Sequence, residues 1–145
     1  PTTRGDKERK DMRTIKFRAW DKIDKKMYYD VGLSLIGVQV YAHPNFQPPE
    51  KIILDRGRDC FEINQFTGLI DLKGCEIYEG DIVTCLFRTK EGNKHLQGNV
   101  YFEDFMWCMD AQNHTSEDLE WTYSLNRLHY FEVIGNIYEN PKENL

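Results

Sequence analysis

Between Gln65 and Tyr138 the chain is a series of short apolar runs, each stopped by glycine or by a polar turn. The stretch QFTGLIDLKGCEIYEGDIV (Gln65 to Val83) shows the pattern best. Asp71 to Gly74 reads as a turn with glycine at its fourth position, as type I turns favour. Glu79, Gly80 and Asp81 read as a tight corner. Ile82 to Phe87 then starts a long strand, and Arg88 to Leu96 is a polar hairpin loop around Gly92 and Asn93. Gly98 to Phe102 is the return strand, and Phe105 to Met109 (FMWCM) comes straight back after a turn at Asp104. Short strands with sharp corners suit a small barrel, because glycine bends the backbone without a Cβ collision and closure hides strand edges. Gly68, Gly74, Gly80, Gly98 and Gly135 are the predicted structural turns. The expected fold is mainly β: an SH3-like small barrel packed with N-terminal antiparallel strands.

The first half carries weaker signals. Thr14 to Trp20 alternates, with Ile15, Phe17 and Ala19 predicted inward and Lys16 and Arg18 outward. DKIDK (Asp21 to Lys25) reads as a turn and Lys26 to Asp30 as the second strand of a hairpin. Leu33 to Tyr41 reads as one strand bent at Gly37. His43 to Glu50 holds three prolines and must be a loop. Cys60 to Asn64 fits a further strand. Near the end, Ser124 to His129 reads as one helical turn capped by Ser124, with Leu125 and Leu128 turned inward. Phe131 to Tyr138 is the closing strand, with a bulge at Gly135. The expected organisation is a disordered tail over residues 1–11, an N-terminal β lobe over 12–64 and a barrel lobe over 65–141, packed as one unit.

Charge excludes some functions. The net charge is −5, yet residues 1–26 hold ten basic and five acidic side chains, so the remainder carries −10. Duplex nucleic-acid binders usually show a stronger positive balance. No run of about 18 apolar residues is present, so no membrane span is expected. The four cysteines (Cys60, Cys75, Cys85, Cys108) form no CxxC pair, which leaves a zinc knuckle unsupported and makes free thiols in a reducing compartment the simplest reading. Phosphate-loop, dinucleotide and nucleophile-elbow motifs are all missing.

Two sets of residues are candidates for a site. Arg18, Lys22 and Lys25 form one basic group, and Arg88, Lys90 and Lys94 another. With Trp121 and Tyr123 exposed beside them, they would make a macromolecule-binding surface, provided that both groups lie on one side. The alternative set is acidic: Asp71, Glu79, Asp81 and Asp104 could hold a divalent ion for a nuclease if they converged. Their irregular spacing favours turn-forming carboxylates instead. No catalytic residue and no cofactor is predicted.

Three blocks carry a family resemblance. They are Lys16-Phe17-Arg18-Ala19-Trp20-Asp21 continuing to Lys26-Met27-Tyr28; Gln65 to Asp71 with Gly74 and Glu76-Ile77-Tyr78-Glu79-Gly80-Asp81-Ile82-Val83; and Phe131 to Pro141. In that order they resemble the phage-associated YopX family. The resemblance implies a phage or prophage origin, a bacterial cytoplasmic location and a mainly β fold. It implies no activity and no active residue. The expected role is non-catalytic, binding a host or phage protein or a nucleic acid. A metal-dependent nuclease and a homo-oligomeric structural protein are the alternatives.

Overall fold

The structure is a computed structural model that describes residues 13–34, 37–42, 50–54, 58–113, 115, 118 and 120–141. The expected tail over 1–11 and the proline-rich loop over 43–49 lie outside the described residues. Twelve strands are present among those described: β1 (Phe17–Asp21), β2 (Lys26–Tyr29), β3 (Gly32–Ser34), β4 (Gly37–Ala42), β5 (Glu50–Leu54), β6 (Phe61–Ile70), β7 (Glu76–Tyr78), β8 (Asp81–Thr89), β9 (Gly92–Glu103), β10 (Met106–Ala111), β11 (Thr122–Ser124) and β12 (Leu128–Asn136). The chain is mainly β, as its runs and turns imply.

The strands form three sheets, ordered β2-β1-β6-β7, β3-β4-β5 and β11-β10-β9-β8-β12. β1 and β2 make the expected hairpin, with Ala19 opposite Tyr28. The run expected to be one strand bent at Gly37 is instead a hairpin of β3 and β4, with Ser34 opposite Gly37. β6 is longer than its sequence suggests. It runs through positions 64 and 65 without a break, pairs with β1 and β7, and so connects the two predicted lobes.

The five-stranded sheet curls into a half-barrel, with β11 and β12 at its two edges. Its concave face holds Val83, Cys85, Leu96, Val100, Met109 and Leu128, and Ile77 of β7 enters this core from the neighbouring sheet. Burying such side chains contributes about 1.5–3 kcal/mol each before entropy is charged against it. The edge of β12 is covered by the turn after β6: Leu72 N–H donates to Phe131 O at 3.0 Å, and Val133 N–H to Asp71 Oδ2 at 2.9 Å. Covering an edge in this way blocks stray strand pairing. The register of β12 on β8 shifts between Val133 and Gly135, at the predicted bulge. Leu125–Arg127 form a single 3-10 turn after Ser124, and Leu125 and Leu128 are buried as expected, although Ser124 makes no side-chain cap bond.

Two glycines set the curvature. Gly80 has φ +82°, and its N–H donates to Val100 O at 2.8 Å, which pins the corner onto β9. Gly98 acts through space: a Cβ there would stand 1.7 Å from Asp110 O on β10, so only glycine lets the strands approach this closely.

Candidate functional site

The blocks that carry the family resemblance meet at one buried node. β1 is central in its sheet and covered on both faces, so Arg18 is not on an outer face as the alternation predicts; it is 2% exposed. Its Nη2 lies 2.8 Å from Asp81 Oδ1 and donates to Glu79 O at 3.1 Å, while Nε donates to Asn64 Oδ1 at 3.3 Å. The guanidinium sits over the Tyr78 ring. Asp81 Oδ2 accepts the Tyr78 N–H at 2.8 Å. Asn64 Nδ2 donates to the Tyr138 hydroxyl, and Tyr138 stacks on Trp20 with centroids 5.6 Å apart. Burial pushes the Asp81 carboxyl above its ordinary value, against the pull of Arg18 and the Tyr78 N–H. The node clasps the two sheets together, and Arg18 is withdrawn from the macromolecule-binding set.

The acidic set does not converge. Asp71 begins its turn as expected. Its Oδ1 accepts N–H bonds from Lys73 and Cys75, and its Oδ2 accepts from Val133. Burial works to raise its pKa, but these three donors outweigh it and hold the carboxyl below the ordinary value. Asp81 is committed to Arg18, and Asp104 lies on the separate β9–β10 turn. Among the described residues no group of three or more His, Cys, Asp or Glu gathers as metal ligands would. The cysteines are free thiols. Burial pushes the Cys85 thiol up to about 12, leaving it protonated and unreactive at neutral pH.

The two basic groups lie apart. Lys22 and Lys25 are on the β1–β2 turn, beside Trp20, Ile137 and Tyr138, and Lys22 faces Glu62 at 3.4 Å. Arg88 sits over Tyr130, Lys90 is exposed on the β8–β9 turn, and Lys94 is ion-paired with Asp118. β12 separates the groups: from Tyr130 to Asn136 it spans roughly 20 Å at the usual rise per residue. Of the two aromatics, Trp121 is 52% exposed, whereas Tyr123 is 3% exposed and packs against Phe87. Tyr123 therefore belongs to the core, because β11 turns it onto the concave face of the half-barrel.

The open end of the half-barrel offers a different site. There the concave face continues past the core into a cleft of about 470 Å³ lined by Leu69, Met106, Trp107, Leu125, Leu128 and Phe131, with Thr67, Ser124 and Asn126 as its polar rim. Leu69 and Met106 are exposed at its mouth. Phe102 packs edge-on against Trp107 and is half exposed. The Trp107 indole N–H is buried and has no acceptor among the described residues. An apolar concavity with a few polar groups is the usual form of a binding site. FMWCM reads as apolar strand in sequence, and its alternation predicts core. The legible sign of something else is Asp104-Phe105, a two-residue turn with phenylalanine where asparagine or aspartate is normally followed by glycine.

The family model described as YopX protein matches residues 16–143. No curated protein matches the chain. Among solved structures, the chain is similar to that of protein EF1440 from Enterococcus faecalis, with 26% identity and a TM-score of 0.57, covering 90% of this chain and 98% of that one.

Proposed function

The chain belongs to the YopX family, and from that premise we propose that it is a non-catalytic, phage- or prophage-encoded module that docks a protein surface into the open end of its half-barrel. The observation that carries this reading is the cleft itself: the hydrophobic core runs out to solvent between Leu69, Met106 and Phe131 rather than being capped. Protein partners fill such apolar pockets with side-chain anchors. Nucleic acid is the weaker fit, because the basic groups stand at opposite ends of β12 and Lys22, Lys94 and Arg88 are already engaged. The nuclease alternative has no support, because among the described residues no three of its carboxylates gather as metal ligands would. Free thiols at Cys60, Cys75, Cys85 and Cys108 support a reducing bacterial cytoplasm as the working compartment.

The test uses the purified chain as bait for bacterial host proteins. A retained protein is identified, purified and titrated calorimetrically against wild type and Met106→Lys. The variant places an ammonium in the mouth of the cleft and should weaken binding at least about tenfold. Retention of nothing by a chain that also shows no Met106-dependent self-association, or equal affinity for both forms, overturns the reading.

A further inference from the structure

Beside the cleft stands its natural complement. Phe105, at the tip of the β9–β10 turn, is 97% exposed. It is also in the left-handed region, with φ 65°, directly after Asp104 with φ 48°. A two-residue turn with both residues at positive φ is one that asparagine-glycine or aspartate-glycine makes without strain, and bulky side chains are rare there. The chain thus holds a large aromatic in a strained conformation and leaves it in water. Strain combined with full exposure of an apolar side chain points to a role outside the folded monomer.

We propose that Phe105 is a knob that enters the open-end cleft of a second copy of this chain, giving a two-fold dimer. The inference rests on the docking reading above and names the occupant. Knob and hole are adjacent: Met106, the next residue, lines the cleft. That adjacency suits a two-fold axis, because placing one Phe105 in the partner's cleft places the partner's Phe105 in the first. The area is adequate. Leu69, Ile70, Leu72, Phe102, Phe105 and Met106 together leave roughly 700 Å² exposed, close to the ~800 Å² that each partner contributes to a standard interface.

Sedimentation velocity across a wide concentration range tests the proposal on the full chain. Wild type should pass from monomer to dimer. Phe105→Gly removes the knob and suits the left-handed backbone, so its melting temperature, taken at a concentration where wild type is monomeric, should be no lower than wild type. Its dimer dissociation constant should rise about thirty-fold or more, as for loss of a central aromatic anchor. Met106→Lys, which blocks the hole, should also be monomeric. A mixture of the two variants should associate more than either alone, because the knob of one fits the open cleft of the other. A wild type that stays monomeric throughout, a Phe105→Gly dimer as tight as wild type, or a mixture no more associated than its components would overturn the proposal. A monomeric wild type that still binds an identified protein in a Met106-dependent manner leaves the docking reading standing and removes only the second copy. Association of any kind that ignores Met106 removes both.

Discussion

Removing Arg18 tests whether the node uniting the family motifs is structural. The Arg18 and Asp81 side chains are 3% and 2% exposed, with Nη2 and Oδ1 2.8 Å apart. Arg18→Met keeps the length of the side chain and removes its charge. The Asp81 carboxylate would then be buried with only the Tyr78 N–H donating to it, and Glu79 O and Asn64 Oδ1 would each lose a donor. Breaking a buried pair from one side typically costs about 3–5 kcal/mol. Asp81→Asn should cost somewhat less, about 2–3 kcal/mol, because the amide oxygen can still accept from Tyr78 while Arg18 loses its counter-charge. The double variant leaves neither charge buried alone. Its cost should fall below the sum of the singles by about 2 kcal/mol or more, the coupling expected of contacting groups. Urea unfolding of the four proteins, compared at constant m-value, measures each term. A cost below about 1 kcal/mol for Arg18→Met, or strict additivity of the two changes, would refute the claim that this pair holds the sheets together.

Gly98→Ala should destabilise the fold by about 3 kcal/mol or more, since its Cβ would occupy the position of Asp110 O and force β9 from β10; an unchanged melting temperature would refute the close approach. Gly80→Ala has ordinary space around its Cβ, nearest to Tyr138 at 3.4 Å, so its cost should be limited to the left-handed backbone, about 1–2 kcal/mol by chemical denaturation. Asp71 has a folded pKa held below its unfolded value of 3.8, so its stabilisation is present above that pH and is lost as pH falls through the folded value. Asp71→Asn should flatten that acid limb of the stability curve. At neutral pH it should cost about 1.5–3 kcal/mol, because an amide cannot accept from Lys73, Cys75 and Val133 together.

Much of the second half was legible because its signals are local. Asp71–Gly74, the Gly80 corner and the Gly135 bulge each follow from residues a few positions apart, whereas the loop read over Arg88 to Leu96 is instead a two-residue turn at Lys90 and Glu91, with its other residues paired between β8 and β9. The first half failed where the outcome depended on what lies alongside. Alternation assigns Arg18 to an outer face, and that rule holds only for a strand with one covered face. β1 is flanked by β2 and β6 and roofed by the Asp81 corner, so its polar face is buried too, and Ile15, just before the strand, is exposed instead. The carboxylates were crowded in sequence but serve separate partners in space. Nothing within the chain's local pattern specifies those partners, because Asp71 reaches across 62 positions to Val133.

The same distinction separates the motif from the site. Arg18, Asp81, Tyr78, Asn64, Trp20 and Tyr138 pair, hydrogen-bond and stack with one another, so these contacts serve the joining of the two sheets. Residues that recognise a partner must instead carry unmet interactions in the free protein, such as apolar area in water or strain in a turn. Phe105 and the cleft of Met106 and Leu69 are of this second kind. On the proposed reading, covering the open end would recover the costs they impose on the monomer. A sealed barrel would have hidden Trp107 and Phe102 within the core. The half-barrel keeps that end of the core open, so the curvature set by Gly80 and Gly98 also leaves the cleft of Met106 and Leu69 accessible.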